Sequence, residues 1–352
     1  MAKRNKMNYI PYADIARIMA AFAVVLLHVA GARLIREDIG SLNFVWAAVY
    51  DCAMRWSVPL FIMLSGMLFL NKAKKLSIKT LYGKNALRLV TAFLFWSYVY
   101  NLYNFYAQYR NVGKAALEAL KNVHNGAMHL WFIFVILGLY FVLPFVKKMC
   151  EGLTKGEAEG FVLMSMAVTF LPKTLTSFKV FEPLVAYIGK FEVCYAAGYV
   201  GMFVAGWYVA TFERSKKEIM ISYLLGIVSF LYMLVTTVYF SIERGVIADE
   251  FMSFKSITAF LMACAVLVWC KSKFEKKPFT RKMRSNLAFY SKYTFGIYLI
   301  HELFLNISTA KGWFVLPSMP FIGIVIEACI IFGVSLVVTG IITALPFGKY
   351  IS

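Results

Sequence analysis

Residues 10–32, IPYADIARIMAAFAVVLLHVAGA, form one apolar run of 23 positions that carries Asp14, Arg17 and His28. A helix of that length crosses the roughly 30 Å of hydrocarbon in a bilayer, where a helix can satisfy every backbone hydrogen bond internally. Further apolar runs follow at 44–70, 86–107, 129–147, 158–173, 187–211, 218–241, 254–270, 286–306 and 319–344. The expected fold class is therefore all-α, a polytopic transmembrane helical bundle of about ten spans. Apolar residues make up 61% of the 352 positions and charged residues 16%, which excludes a soluble core wrapped in polar surface. The first run is too long for a signal-peptide core and lacks an Ala-x-Ala exit, so it reads as a retained span.

A formal net charge of +19 would suit nucleic acid, but the Lys and Arg residues sit in short loops between the runs. With the amino terminus inside, 24 of them fall on the inner side and 11 on the outer, while Arg17 and Arg55 lie within spans. That asymmetry predicts both termini in the cytoplasm and no nucleic-acid partner. Six cysteines, Cys52, Cys150, Cys194, Cys264, Cys270 and Cys329, show neither metal-ligand nor CxxC spacing and read as free thiols. The stretch from Lys173 to Lys190 reads as re-entrant or interfacial, and residues 114–124 as an amphipathic helix on the outer surface. Ala197, Gly201 and Ala205, at four-residue spacing, suggest close helix packing.

Ionisable side chains are costly inside a membrane, so each marks a candidate site. Arg17 and His28 differ by eleven positions, which at 100° per residue brings them within about 20° of one face and about 16 Å apart along the axis. Asp14, one turn below Arg17, can pair with it, and a snorkelling interfacial ion pair is the plain alternative. For His28 the plain alternative is a core histidine bonded to a backbone carbonyl. Asp51 and Arg55 stand at i, i+4 in the second span, where a helix-stabilising salt bridge is an adequate account. Pro59, in SVPLFIMLSG, frees a carbonyl and is expected to kink that span. His129 opens the fourth span in HLWFI beside Trp131, and His301 and Glu302 close the ninth. The topology thus puts His28, His129 and His301 near one membrane depth, and histidine is the commonest general acid or base near neutral pH.

Four ordered motifs, DIARIMAAFAVVLLH, VPLFIMLSG, HLWFIFVILGLYFVLP and YTFGIYLIH, resemble the acyltransferase family 3 of bacterial membrane proteins. The resemblance covers nearly the whole chain and is closest to the short members that lack a secreted esterase-like domain. It implies a single transmembrane domain over residues 1–352 in the bacterial cytoplasmic (inner) membrane. The implied activity is O-acetyltransferase-type transfer of an acyl group, commonly acetyl from acetyl-CoA, to a hydroxyl of a cell-envelope glycan or lipid-linked sugar. Matching positions are Asp14, Arg17, His28, Pro59, Ser65, Gly66, His129, Trp131, Tyr298 and His301. Many members carry Arg, two residues and Arg after the second span, whereas this sequence reads Asn85 then Arg88, with Lys84 as a possible substitute.

Physics and resemblance together give one expected mechanism. The acyl-CoA phosphates meet the cytoplasmic basic residues Arg88, Lys84, Arg281, Lys282 and Arg284, with Arg17 guiding the donor inward. His28 acts as general base on the acceptor hydroxyl, and His129, His301, Asp51, Arg55, Trp131 and Glu302 orient the base or bind the acceptor. Direct transfer competes with an acyl-enzyme intermediate on a histidine or serine. No metal is expected, membrane lipid surrounds the spans, and a homo-oligomer is compatible with the sequence. The rival class is a secondary transporter or flippase for a small or acylated envelope precursor, for which paired broken helices in two related halves would be expected and are not found.

Overall fold

The computed structural model describes residues 10–189 and 193–352, and for residues 193–197 the backbone alone. Among the described residues are twelve helices of ten or more residues and no strand. They are α1 (Pro11–Leu34), α2 (Leu42–Met54), α3 (Ser57–Phe69), α4 (Leu87–Tyr109), α5 (Val112–Lys121) and α6 (Trp131–Gly152). Then follow α7 (Lys155–Ser165), α8 (Val193–Thr211), α9 (Lys216–Arg244), α10 (Ile257–Phe274), α11 (Arg281–Lys311) and α12 (Pro320–Ala344).

Six stretches among the described residues are long and apolar enough to cross a membrane: Pro11–Leu34, Leu42–Phe69, Met128–Gly152, Lys216–Arg244, Asp249–Phe274 and Pro320–Ala344. The chain is a polytopic helical membrane protein. In the other four expected runs the described residues are mostly helical, but the runs differ in kind. Helix α4 carries Asn101, Asn104 and Gln108, and α11 carries Lys292, His301 and Glu302. Residues 158–173 are divided among α7, a π-helical turn at Met166–Phe170 and a short helix at Leu171–Leu175. Helix α8 bends at Gly198, whose backbone (φ −38°, ψ −116°) leaves the helical region. Beyond Lys173 the chain forms only short turns as far as Glu182–Gly189, with mostly exposed side chains, in keeping with a segment that does not span. Lys190 and the side chains of Cys194 and Ala197 lie outside the described residues; the other five cysteines are free thiols.

The chain forms two compact units. The first contains the residues up to Lys75, Phe145–Ser291 and Phe314–Cys329. Its helix α1 starts with Pro11 in the first turn, where a missing N–H costs nothing, and packs on α2, α3 and α10. The second span breaks at Arg55–Trp56, and Pro59 becomes the third residue of α3. Proline there leaves the Arg55 carbonyl without its helical donor, so the kink falls one turn before the proline. The tightest crossing is α3 on α8: a Cβ on Gly66 would overlap the Phe203 carbonyl, and one on Gly206 would overlap that of Met63. Ser65 turns its hydroxyl back to the Phe61 carbonyl at 2.9 Å. The VPLFIMLSG tract is thus a packing element that approaches Gly206, and Gly201 of the expected four-residue stripe packs closely on α7, where a Cβ would overlap Ser165.

Buried lysines cap helix ends in this unit. Lys271 Nζ donates to the carbonyls of Val209 (3.1 Å) and Ala210 (2.9 Å) at the end of α8. Lys147 Nζ donates to the Asn71 carbonyl (2.7 Å) just past α3. The two α8 carbonyls stand in the last turn without a helical donor, and a cation there also opposes the helix dipole, while the Asn71 carbonyl also accepts from the Lys74 N–H at 3.1 Å.

The second unit contains Leu76–Pro144, Lys292–Trp313 and Ile330–Ser352. Helices α4 and α5 form a hairpin through Arg110 in the left-handed region (φ 54°), and Asn111 caps α5 through the Lys114 N–H at 2.9 Å. The expected amphipathic helix therefore begins at Val112 and ends at Lys121, burying Ala115 and Ala119. Gly126 (φ +66°) closes the turn where a Cβ would crowd the Phe93 ring.

Candidate functional site

In the first unit, α1 runs unbroken from Asp14 through Arg17 to His28. Arg17 Nη1 donates to Asp14 Oδ1 (3.0 Å) and to Ser291 Oγ (2.7 Å), and the Ser291 hydroxyl donates to the same Asp14 oxygen (2.6 Å). The expected ion pair is present, and Ser291 of α11 turns it into a closed triangle. The guanidinium remains one-quarter exposed.

Further along the same unit, Arg55 Nε donates to Asp51 Oδ1 at 2.5 Å, so the expected i, i+4 bridge forms. Asp51 is buried, and its Oδ2 would lie 3.3 Å from a Cβ on Gly31, so it faces α1 one turn beyond His28. The Arg55 guanidinium lies over the Phe254 ring (5.0 Å to the centroid). The salt bridge is therefore more than surface decoration: it packs against the stretch of α1 that carries the imidazole.

In the second unit, His129 and His301 meet edge to face with ring centroids 5.4 Å apart. His129 also stands edge to face with Tyr100 (5.1 Å) and Tyr298 (5.7 Å). The Tyr298 hydroxyl donates to the His129 carbonyl at 2.6 Å. Tyr100 Oη donates to the Leu299 carbonyl (2.9 Å) and accepts from Leu303 N–H (3.0 Å). Those two backbone groups would ordinarily bond to each other, so the hydroxyl is inserted into the ladder of α11. Within that opened turn, His301 Nδ1 lies 2.8 Å from the Tyr298 carbonyl and 3.1 Å from that of Ile297. A carbonyl only accepts, so Nδ1 carries the proton, and in the neutral ring Nε2 holds the lone pair. His301 is fully buried and Glu302 follows it on the same helix.

The remaining candidates are dispersed. Lys84 is exposed in a π-helical turn, Leu81–Ala86, which also contains Asn85. Arg88 Nη2 donates to the Ser352 carbonyl and its guanidinium stacks over Phe295 at 5.3 Å, so part of its donor set is committed to the fold. Arg281, Lys282 and Arg284 are exposed at the start of α11. Trp131 begins α6 with its ring 6.2 Å from that of Phe132.

Sequence reasoning passed over three features. Ser291 and Tyr100 are ordinary polar residues in helices, with no local signal to single them out. Glu327 had one: it is the only charged residue in α12, and an acid in a span is a candidate by rule. Arg33 Nη2 donates to Glu327 Oε2 (3.0 Å) and to the Val315 carbonyl (2.8 Å), with both charged side chains buried, and lies over Phe314 at 4.4 Å.

Fold and polar clusters define the class: a polytopic helical membrane protein with ionisable and imidazole groups held within its helices. Over residues 10–344 the chain matches the acyltransferase domain of acyltransferase family 3, and it belongs to that family. No curated protein and no solved structure matches it.

Proposed function

We propose that the chain moves an acyl group, acetyl in the first instance, from cytoplasmic acyl-CoA to a hydroxyl of a cell-envelope glycan or lipid-linked sugar. In this reading the protein sits in the bacterial cytoplasmic membrane with about ten spans and both termini inside, following the loop charges. The observation that carries it is the unbroken α1, which holds a charged Asp14–Arg17–Ser291 triangle and, eleven residues on, His28. A helix sets these two features about 16 Å apart on one stripe. Family membership favours acyl transfer over transport.

His28 takes the proton of the acceptor hydroxyl as its oxygen bonds to the thioester carbonyl carbon. The tetrahedral adduct then collapses, the carbon–sulfur bond breaks, and the imidazolium returns the proton to the departing thiolate. Asp51 and Arg55 orient the ring from α2. A second base, His301, is favoured by its own observation: the Nδ1–H bond to the Tyr298 carbonyl leaves Nε2 basic. The test is transfer from radiolabelled acetyl-CoA to envelope glycan by protein purified into nanodiscs without an ion gradient. His28→Ala is expected to lower turnover at least about a hundredfold while the melting curve stays that of wild type. Full activity in His28→Ala passes the role to His301, and activity only under a gradient returns the protein to the transporters.

A further inference from the structure

The first unit carries a cleft of 550 Å³ where the ends of four of its helices meet. Its walls are the start of α1 (Ile10, Pro11, Tyr12), the end of α3 with Asn71 and Lys72, the end of α8 (Trp207, Ala210, Thr211) and Glu275 beyond α10. The size falls in the usual range for small-molecule sites, roughly 300–1,000 Å³. Tyr12, Met67 and Trp207 back the cleft and are almost fully buried behind it, and the exposed Lys72 stands at its rim.

Cations gather beside it. Lys74, two residues past Lys72, is held below the usual lysine value by burial and then by the like charges of Lys147 and Arg17. Lys147 is itself anchored on the carbonyl of Asn71, a wall residue. Cations that crowd one another gain from a bound anion, which removes the repulsion. The one carboxylate on the wall, Glu275, is 3.9 Å from Lys271 Nζ and so partly neutralised. Ile10 of the wall also shares the stripe of Arg17 and His28, since seven and eighteen residues on bring the helix back to within about 20° of the same face.

We propose that this cleft takes the phosphorylated nucleotide end of the acyl donor, with the phosphates toward Lys72 and Lys74. The proposal rests on the acyl-CoA reading above and moves the donor's anchor away from Lys84, Arg88, Arg281 and Arg284. The donor's slender arm then follows the α1 stripe from Ile10 past Arg17 toward His28.

Calorimetry on protein in neutral-lipid nanodiscs tests it, with coenzyme A and adenosine 3′,5′-bisphosphate as probes. Wild type is expected to bind both, with the bisphosphate displacing coenzyme A. Exposed Lys72→Glu is expected to weaken both at least tenfold, and Thr211→Trp, which fills the cleft, to do the same without lowering the melting temperature. Wild-type affinity in both variants overturns the cleft while leaving the acyl-CoA reading intact. Failure of wild type to bind coenzyme A at all overturns both. Displacement of the bisphosphate by anionic lipid but not by coenzyme A makes the cleft a lipid site and overturns the proposal.

Discussion

In the first unit Asp14, Arg17 and Ser291 close a charged triangle and Asp51 holds Arg55, whereas in the second His129, Tyr298, His301 and Tyr100 are held through neutral hydroxyls and backbone carbonyls. Asp14–Arg17 and Asp51–Arg55 each neutralise within about one helical turn, so these pairs enter the low-dielectric interior already compensated, while Arg33 finds Glu327 across 294 positions. The neutral cluster has no such local solution. It needs a tyrosine from α4, the turn before α6 and an opened turn of α11, three segments distant in sequence. Two of the first unit's ion pairs are arranged locally, whereas its Arg33–Glu327 pair and the imidazole cluster of the second unit are arranged by tertiary structure.

The harshest way to break this contrast is to strand a charge. Glu327→Ala leaves Arg33 buried without its partner, and a loss of about 3–5 kcal/mol is expected in thermal or denaturant unfolding in nanodiscs. The double variant Arg33→Met, Glu327→Leu should recover most of it, because two apolar groups need no compensation. No recovery in the double variant would mean that the pair is not the energetic unit described.

Next in size is Ser291→Ala. It removes one partner each from Arg17 and Asp14 and is expected to cost about 1.5–3 kcal/mol, the range for hydrogen bonds to charged groups. If the triangle steers the donor, KM for acetyl-CoA rises more than kcat falls. An unchanged KM would reduce Ser291 to packing.

Tyr100→Phe should cost less, about 1 kcal/mol, since the Leu303 N–H can return to the Leu299 carbonyl once the hydroxyl is gone. The closed turn then shifts His301, so the pH profile of turnover is expected to move if His301 acts as a base. A fixed profile, with turnover intact, confines Tyr100 to the fold.

Lys74→Met is the smallest effect and runs the other way. Because the folded lysine value is depressed, the ammonium weakens the fold below that value, and the penalty fades as pH rises toward the ordinary one. A small rise in melting temperature is expected at pH 7, shrinking toward pH 10, alongside weaker coenzyme A binding. A fall in melting temperature would show that the Lys74 contact with Phe69, at 3.8 Å from the ring centroid, outweighs the repulsion.

Much of this was legible beforehand, and the reasons are local. Asp14–Arg17 and Asp51–Arg55 obey helical spacing, Pro59 kinks where a missing N–H must, and the 112–121 helix follows its apolar period. The glycine and serine of the VPLFIMLSG motif serve a helix crossing and a backbone bond, which a motif match alone does not show. Arg88 was assigned to phosphate, yet it also clasps the Ser352 carbonyl, 264 positions away.

The sequence by itself determined that the chain is a helical membrane protein, because hydrocarbon length, helical period and charge cost act residue by residue, and its four ordered motifs marked the resemblance to acyltransferase family 3. Only tertiary structure decided that Ser291 closes the Arg17 triangle, that Tyr100 opens α11 beside His301, that Arg33 finds Glu327, and that four helix ends leave a cleft beside crowded lysines. Each of these depends on which distant segments meet. Apolar spans specify burial without specifying partners, so the meeting of polar groups is written in the packing and not in any one stretch of chain.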